Sequence, residues 1–351
     1  MKKYEGVFMI VRSRAPVRIS FAGGGTDFPY YFNSGKAGCV VCATINQFAW
    51  GTLATRRDQT INIESYDFLR KLRFSDLNEI AYNNDLDLIK AVVKNMNKTG
   101  RGMDIFLRSD IPPKSGLGSS ASAFVALIGL FNHLKGEKRF TNYEIASLAY
   151  KLEREELGIG GGYQDQYATT FGGLNFIEFF PTHVCVNPLR IKEDHAKELE
   201  KNLVLAHLAE RGISGDIVAD QTKKYEQKDY SVVEAMDTIR DTAHEMKYAL
   251  IRGDLEQFGR LLHEGWEQKK RFSPLITTKQ INDIYELARK HGAIGGKITG
   301  AGGGGHFLFY CEPNKEQIVS EKLQEAGVKV IPFTFDTEGL VTWEIADKSD
   351  L

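Results

Sequence analysis

Hydrophobic positions in the first half of the chain switch between strand-like and helix-like spacing. Apolar runs rich in β-branched and aromatic residues predict strands, at residues 17–21, 39–53, 60–64 and 104–108. Apolar residues that recur at three- and four-residue steps predict helices, at residues 85–98, 119–134 and 141–157. Residues 172–179 are predicted to form a turn that leads into another strand.

The second half of the chain is predicted to be rich in helix before it ends in a small sheet. Helical spacing continues from residue 231 to 291, and strand patterns follow at 294–298 and 307–311. A helix at 315–326 and a strand at 328–333 complete the pattern. This mixture indicates an α+β protein. No repeat or low-complexity linker marks a boundary, and we place it near residue 190, between an N-terminal domain at 9–190 and a C-terminal domain at 191–351.

Composition narrows the class of protein. The chain has 351 residues, of which 42% are hydrophobic and 26% charged, as in soluble globular proteins. The net charge of −1 is spread along the chain, so we expect no nucleic-acid partner. No apolar run approaches the ~20 residues of a membrane span, and we expect no membrane partner and a cytoplasmic location. Met9 precedes the first strand, so residues 1–8 are expected to be a dispensable extension.

Residues 112–122, Pro-Pro-Lys-Ser-Gly-Leu-Gly-Ser-Ser-Ala-Ser, have the features of a loop that binds phosphate before a helix. The prolines end the preceding strand because they cannot donate ladder hydrogen bonds. Glycines allow close approach of the backbone, and the N-terminus of the next helix attracts anions. We predict that the phosphates of ATP bind to Lys114, Ser115, Gly116, Leu117, Gly118, Ser119, Ser120 and Ala121.

Two better-known nucleotide loops do not fit this segment. A Walker loop requires Gly-x-x-x-x-Gly-Lys followed by Ser or Thr, which the chain lacks. Residues 116–121 match the loose dinucleotide pattern G-x-G-x-x-G/A, but that fingerprint needs a second parallel strand with an acidic end about 20 residues on. The following segment, 140–156, has helical spacing instead. An NAD-dependent enzyme is therefore set aside.

Two further motifs have ordinary structural explanations. Cys39 and Cys42 have the C-x-x-C spacing of redox or metal sites, but Val40 and Val41 between them indicate a buried strand. Four cysteines without a disulfide framework fit a reducing compartment. His263 begins a motif similar to a zinc helix, but the second histidine is missing.

Three motifs in order resemble those of the GHMP kinases, the family of galactokinase, homoserine kinase, mevalonate kinase and phosphomevalonate kinase. They lie at residues 14–27, 112–122 and 297–307, so the resemblance covers nearly the whole chain. It implies a two-domain fold, with an N-terminal domain like domain 2 of ribosomal protein S5 and a ferredoxin-like C-terminal domain. It also implies ATP and Mg²⁺ as cofactors, and a sugar or sugar phosphate bound in the cleft between the domains.

The first motif indicates which members of the GHMP kinase family the chain resembles most. Galactokinase-like members carry Gly-Glu-His-Thr-Asp, whereas this chain has Gly-Gly-Gly-Thr-Asp at 23–27. That form resembles the D-glycero-D-manno-heptose 7-phosphate kinases and, less closely, the fucokinases. The resemblance implies phosphorylation of the anomeric C1 hydroxyl of a heptose 7-phosphate, for nucleotide-activated heptose synthesis. A kinase of an unphosphorylated sugar and a non-catalytic sugar or ATP sensor are the alternatives.

The resemblance also implies roles for particular residues. A stretch similar to the galactokinase Gly-x-x-Asp-Gln makes Asp165 the catalytic carboxylate, and Arg18 of the first motif would lie beside it. The structural alternatives are a helix cap at Asp165 and a surface ion pair at Arg18. A sensor would not need to keep these two residues together with Asp27 and Ser120, which argues for an enzyme.

Substrate and metal contacts follow from the same motifs. The resemblance implies that the substrate is bound by Gly24, Gly25, Thr26, Asp27, Gly302 and Gly303. For Mg²⁺, which prefers oxygen ligands, we select Ser120 and Glu153, although Glu155 and Glu156 are close in sequence. The basic cluster at 269–271 is the densest in the C-terminal half, but a solvated helix end explains it as well. The sequence leaves open the anomer, the residues that bind a distal phosphate and the oligomeric state, and a homo-oligomer is compatible with it.

Overall fold

The computed structural model describes residues 9–209 and 214–346, which form thirteen strands and eleven α-helices. The strands are β1 Met9–Ala22, β2 Gly38–Thr55, β3 Ile61–Ser65, β4 Arg70–Phe74, β5 Met103–Ser109, β6 Leu174–Phe179, β7 Val184–Pro188, β8 Leu203–Ala209, β9 Ala293–Ile298, β10 Gly305–Cys311, β11 Lys329–Ile331, β12 Phe335–Asp336 and β13 Val341–Ala346. The helices are α1 Pro29–Phe32, α2 Asp87–Met96, α3 Ser119–His133, α4 Asn142–Tyr150, α5 Gln164–Phe171, α6 Glu193–Lys201, α7 Ser214–Glu226, α8 Tyr230–Arg252, α9 Leu255–Lys270, α10 Lys279–Lys290 and α11 Glu316–Glu325. A π-helical turn, Lys151–Glu156, continues α4, and Leu77–Glu79 and Gly136–Lys138 are short 3₁₀ turns.

Two long antiparallel strands organise the first sheet. β1 pairs with β2 over most of its length, and the main order of the described strands is β13-β1-β2-β5-β3-β4. β6 and β12 also pair with β2, and β7 extends the sheet from β6. The β1–β2 register shifts between Pro16 and Val17 and again between Ser20 and Ala22. Such bulges bend a strand, and these two lie on either side of Arg18.

The second sheet has four antiparallel strands in the order β11-β8-β10-β9. Along the chain, β8 is followed by helices, then β9 and β10, then α11 and β11. This βαββαβ succession is that of a ferredoxin-like unit. The predicted α+β architecture is therefore confirmed.

Apolar packing joins the two sheets into one scaffold. One buried cluster surrounds α3, whose residues from Ala121 to Asn132 are all buried, beneath the first sheet. A second cluster contains β1 residues such as Ile19 and Phe21 together with Phe258 of α9 and Leu308 of β10. Burial of apolar side chains is the main favourable term in folding. Because this second cluster spans both halves, it fixes the walls of the cleft between them.

Most predicted elements are confirmed, with differences at their ends. The strand predicted at 39–53 is β2, the helix predicted at 119–134 is α3, and the predicted closing strands and helix are β9, β10, α11 and β11. The helix predicted at 141–157 begins as α4 and ends as the π-helical turn. No prediction was made for β4, β7, β8, β12, β13, α1, α6 or α7. The apolar run of β8 carries no alternation that would separate a buried strand from a helix.

The end of the chain returns to the first sheet. β13 pairs with β1 from Met9 to Arg14, and β12 pairs with β2 at Ile45 and Thr44. These strands fall within the segment predicted as the C-terminal domain, 191–351, so that segment also contributes to the N-terminal sheet. The boundary near residue 190 stays a prediction, and the expected extension at 1–8 lies outside the described residues.

The cysteines occupy structural positions. Cys39 and Cys42 lie in β2 and pack into different apolar clusters, as expected for strand residues three apart. Burial raises the pKa of each of these thiols to about 12. All four cysteines are unpaired. Within the described ranges, no helix combines the length and apolar character needed to cross a bilayer.

The turn after β1 depends on a missing side chain at Gly23. Its φ is +86°, and a Cβ there would lie 1.9 Å from the Cys39 carbonyl oxygen. Gly136 also has a positive φ, +59°, but a Cβ there would have no neighbour within 4 Å. We therefore predict that Gly136→Ala costs about 1 kcal/mol of backbone strain and that Gly23→Ala costs about 1–3 kcal/mol more through overpacking. Urea unfolding of the two variants measures the difference, and equal losses would contradict the close approach.

Candidate active site

A cavity of about 900 Å³ opens between the two halves of the molecule. Its walls come from β1, from the segment between β5 and α3, and from the glycine turn before α5. α9, β9 and the loop after β9 close it from the C-terminal half. A volume of this size accommodates a nucleotide-sized ligand. The cavity therefore brings parts of all three sequence motifs together.

The predicted phosphate loop forms one wall of this cavity. Gly116, Gly118, Ser119 and Ser120 border it, as does Lys114. Gly118 precedes α3 with a φ of +78°, and among the described residues no side chain caps the first amides of this helix. Free amides at a helix N-terminus bind anions. This part of the loop can therefore hold phosphate groups.

Three of the predicted phosphate-binding residues face the protein interior and not the cavity. Ser115, Leu117 and Ala121 are buried and do not border the cavity. The Ser115 carbonyl oxygen lies 2.8 Å from Nδ1 of His306, and the Leu117 carbonyl accepts a bond from the Arg18 amide at 2.9 Å. These contacts support the loop's shape. We therefore expect these side chains to hold the loop in place and not to touch phosphate.

Arg18 and Asp165 form an ion pair at the centre of the cavity wall. Nε of Arg18 donates to Oδ1 of Asp165 at 2.9 Å, and Nη2 donates to the same oxygen. Nη1 donates to the Gly116 carbonyl at 2.8 Å, which ties the pair to the phosphate loop. Arg18 is only 2% exposed. The surface ion pair considered for Arg18 is therefore excluded by its burial.

Asp165 lies in the first turn of α5 and keeps one oxygen open to the cavity. The Asp165 side chain is 18% exposed, and its Oδ2 lies 4.0 Å from Nη2 of Arg154. A Cβ at Gly118 would lie 3.5 Å from Oδ2, so the backbone of the phosphate loop approaches the carboxylate directly. This arrangement places a carboxylate oxygen beside a helix N-terminus that attracts anions.

Arg154 was not identified from the sequence. Its Nη1 donates to the carbonyls of Ile159 and Gly160, and so holds the glycine turn before α5. The same nitrogen lies 3.3 Å from Oε1 of Glu153. Because charged residues are common on helices, the sequence carried no signal to distinguish this arginine from its neighbours.

The π-helical turn directs Glu153 inward, unlike the neighbouring Glu155 and Glu156. The Glu153 side chain is 1% exposed, whereas Glu155 and Glu156 face outward and Glu156 accepts bonds from Tyr82 and Asn95. Oε2 of Glu153 accepts a bond from Gln166 at 2.6 Å. Burial raises the Glu153 pKa, while Arg154 and hydrogen bonds from Ser120 and Gln166 oppose this shift. π-Helical turns occur often at functional sites.

Glu153 and Ser120 form a fitting partial site for Mg²⁺. They are neighbours at the cavity wall and offer a carboxylate and a hydroxyl oxygen. Over residues 9–209 and 214–346 no group of three or more His, Cys, Asp or Glu side chains could hold a metal by itself. Mg²⁺ is usually bound by one or two carboxylates together with phosphates and waters. The donor set therefore fits this metal ion, with the triphosphate supplying the remaining ligands.

Asp27 links the first motif to the glycine turn. It is 1% exposed, and its Oδ1 accepts from the Gly25 amide at 3.0 Å while Oδ2 accepts from the Gln164 amide at 3.2 Å. Burial raises its pKa, and Asp165 acts in the same direction. Asp27 borders the cavity beside Gly24 and Gly25. Its two amide contacts are those of a carboxylate that caps turns, and its contact with substrate stays a prediction.

Three predicted substrate residues lie away from the cavity. The Thr26 hydroxyl donates within the core and also accepts from the Cys39 amide. Gly302 packs against Ile276 and Gly303 against Ile217, so these two glycines serve close packing of the loop. Gly300 and Ala301 border the cavity instead. We therefore expect Thr26, Gly302 and Gly303 to shape the loops and not to contact substrate.

Two lysines of the C-terminal half reach the cavity. Lys297, the first residue of the third motif, is 4% exposed and donates to the Ser20 carbonyl at 2.7 Å. Lys269 of α9 is 6% exposed and donates to the Gly300 carbonyl. Lys269 belongs to the basic cluster for which a solvated helix end was the alternative, and its burial separates it from Lys270 and Arg271. Sequence analysis did not assign Lys297 a role, although its position at the start of the glycine-rich third motif was a signal.

The fold and the site together define a two-domain kinase of small molecules. The family model described as "GHMP kinases N terminal domain" matches residues 87–173, and the model described as "GHMP kinases C terminal" matches residues 246–329. The chain is 38% identical to the D-glycero-alpha-D-manno-heptose 7-phosphate kinase of Campylobacter jejuni over 95% of this chain and 99% of that one. The chain belongs to the GHMP kinase family.

Solved structures share this fold. A D-glycero-D-manno-heptose 1-phosphate kinase from Bacteroides thetaiotaomicron superposes with a TM-score of 0.80 at 32% identity, covering 96% of this chain and 100% of that one. Galactokinase from Lactococcus lactis, solved with galactose, has a TM-score of 0.74 at 20% identity, covering 96% and 95%. The second similarity shows the fold alone. The predicted family and two-domain fold are confirmed.

The buried Glu153 carboxyl predicts a pH-dependent stability in the absence of nucleotide and metal. The pKa of Glu153 in the folded protein is raised above its ordinary value of 4.5. At pH values between 4.5 and the raised pKa, the folded protein therefore holds a proton that the unfolded chain releases. Stability therefore falls as the pH rises through this window. Glu153→Gln should remove that loss, so the variant's free energy of unfolding should exceed the wild-type value at pH 8 by more than at pH 5.

Urea unfolding at the two pH values measures this effect. Glu155→Gln, an exposed neighbour, is the matched control and should show the wild-type pH dependence. A Glu153→Gln profile parallel to that of the wild type would contradict the raised pKa.

Proposed function

We propose that this protein transfers the γ-phosphoryl group of ATP to the anomeric C1 hydroxyl of D-glycero-D-manno-heptose 7-phosphate, giving the 1,7-bisphosphate. One observation carries the chemical part of the proposal: the Arg18–Asp165 pair lies directly against a phosphate-binding helix N-terminus. The substrate is supported by two relatives above 30% identity, whose names both specify a phosphorylated D-glycero-manno-heptose. Those names differ in the position of the phosphate, at C7 in one and C1 in the other.

The cavity offers separate regions for the base and the phosphates of ATP. Apolar side chains line one end, beyond the phosphate loop, including Phe68, Leu86, Ile89, Leu107 and Ile111. We infer that the adenine lies at this apolar end and that the triphosphate runs along the amides before α3. The γ-phosphate then faces Asp165, because Gly118 and Asp165 are adjacent.

The transfer step assigns a role to each charged group. The C1 oxygen attacks the γ-phosphorus, a new O–P bond forms, and the bond to the bridging oxygen breaks so that ADP leaves. Oδ2 of Asp165 accepts the proton of the hydroxyl, which is favourable because an anomeric hydroxyl is more acidic than an ordinary alcohol. Arg18 holds the carboxylate in position and places positive charge beside the transferred group.

Ser120 and Glu153 are the residues that would hold Mg²⁺. The ion would neutralise charge on the triphosphate, as in other phosphoryl transfers. Glu153 must be ionised to bind a metal ion, and Arg154 at 3.3 Å favours the ionised carboxylate. Gln166 and Arg154 orient this carboxylate toward Ser120.

A substrate panel tests the proposed reaction. The protein with Mg-ATP should release ADP with D-glycero-D-manno-heptose 7-phosphate and much less with unphosphorylated heptose, fucose or galactose. ³¹P NMR of the product should show a second phosphate coupled to the anomeric proton. Turnover with a free sugar alone would mean that this sugar, and not the heptose phosphate, is the substrate. The absence of turnover with every acceptor would favour a non-catalytic sugar or ATP sensor.

Asp165→Asn tests the general base. Removing it should lower kcat by at least about 10²-fold, while the affinity for ATP stays within about threefold of wild type. Asp104→Asn is the control, because Asp104 pairs with Arg56 on the first sheet and does not border the cavity. We expect the control to keep wild-type kcat, and an Asp165→Asn variant with unimpaired turnover would remove Asp165 from the mechanism.

A further inference from the structure

Lys297 is a buried cation in the wall of the cavity, and no carboxylate of the described residues pairs with it. Its ammonium group donates to the Ser20 carbonyl at 2.7 Å. Among the ion pairs of the described residues, none involves Lys297. Taking a charged group out of water costs several kcal/mol unless an opposite charge compensates it. The position of Lys297 is therefore unfavourable without an anion.

Neighbouring charges increase this cost. Lys269 and Arg18 both lower the pKa of Lys297 together with burial, which has the largest effect, and Asp27 acts in the opposite direction. Both lysines border the same cavity. They also line a small adjoining pocket together with Gly24 and the end of β1. Lys297 and Lys269 therefore place two positive charges on this part of the cavity wall, whereas Arg18 is paired with Asp165.

Two polar groups beside Gly24, one of them on the residue that binds Lys297, also have unused hydrogen-bonding capacity. The Ser20 hydroxyl, on a residue that is 2% exposed, has no hydrogen-bond partner among the described residues, and neither has Oε1 of Gln164. A Cβ built at Gly24 would lie 3.7 Å from both Oγ of Ser20 and Nε2 of Gln164, so the glycine leaves open space beside them. Buried polar groups without partners in a cavity mark a place where a ligand can supply the missing bonds.

We propose that Lys297 and Lys269, with the Ser20 hydroxyl as a further donor, form a subsite for a phosphate monoester at the far end of the acceptor. This inference rests on the proposed function and adds the residues that recognise the distal phosphate. A dianionic phosphate accepts several charge-assisted hydrogen bonds at once, and it compensates the buried Lys297 ammonium group. A neutral sugar end would leave this ammonium group without a counter-charge from the described residues.

The position of the subsite favours the acceptor over the nucleotide. Ser20 follows Arg18 by two positions on β1, so their side chains share a face about 7 Å apart. Arg18 donates hydrogen bonds to Asp165 and to the Gly116 carbonyl of the phosphate loop, whereas the Ser20 carbonyl accepts a hydrogen bond from Lys297. A sugar with C1 at Asp165 and its terminal carbon near Ser20 lies along this face. The triphosphate occupies the other side of Arg18.

Paired acceptors separate recognition of the distal phosphate from catalysis. We would measure kcat/KM of wild type and Lys297→Met with D-glycero-D-manno-heptose 7-phosphate and with the same heptose lacking the phosphate. The variant should lose about 10–100-fold with the phosphorylated acceptor, as for a lost hydrogen bond to a charged group, and less than threefold with the free heptose. KM for ATP, measured with the free heptose, should not change.

Two further variants keep the test independent of folding. Ser20→Ala removes only a buried hydroxyl and should show the same selective loss at about three- to tenfold. Lys270→Met is the matched control, because Lys270 follows Lys269 on α9 but pairs with Glu267 and does not border the cavity. It should keep wild-type kcat/KM with both acceptors.

The outcomes distinguish the two proposals. Equal losses with both acceptors, or a higher KM for ATP, would place Lys297 at the transferred phosphoryl group and overturn the subsite while the proposed function stands. Wild-type preference for the free heptose would overturn the subsite and the phosphorylated substrate together. Selective loss in Lys297→Met and Ser20→Ala supports the subsite.

Discussion

The Arg18–Asp165 ion pair is the interaction on which the rest of the site depends. Arg18 comes from the bulged centre of β1, Asp165 from the first turn of α5, and the arginine also binds the Gly116 carbonyl. One side chain therefore fixes the relative positions of the first sheet, the phosphate loop and the carboxylate. Losing one partner of a buried pair costs about 3–5 kcal/mol, so this contact couples the fold to the chemistry.

Burial makes the surrounding charges strong and interdependent. Asp27 and Glu153 have raised pKa values because they are buried, and the pKa of Lys297 is lowered for the same reason. In a medium of low dielectric constant such groups are sensitive to any ligand that brings charge. ATP, a metal ion and a phosphorylated acceptor would each relieve part of this imbalance. The site is thus arranged for ligands that are themselves highly charged.

The sequence carried enough information to find the chemistry that lies in continuous motifs. The phosphate loop, Arg18 and Asp165 occur in local patterns, and the structure brings them together. It could not distinguish Glu153 from Glu155 and Glu156, because a π-helical turn decides which side chain points inward. It did not reveal the role of Lys297, whose partner Ser20 is 277 positions away. Glycine motifs were also ambiguous, since Gly302 and Gly303 serve packing whereas Gly24 leaves open space in the cavity.

The most direct test of this account is a crystal structure with Mg²⁺, a non-hydrolysable ATP analogue and D-glycero-D-manno-heptose 7-phosphate. The decisive quantities are the distances from the C1 oxygen to Asp165 and to the γ-phosphorus. The account predicts a hydrogen bond to Asp165 and a separation of about 3–3.5 Å from the γ-phosphorus, as in a reactive complex. A sugar bound with C1 turned away from Asp165, or with another hydroxyl in its place, would contradict it.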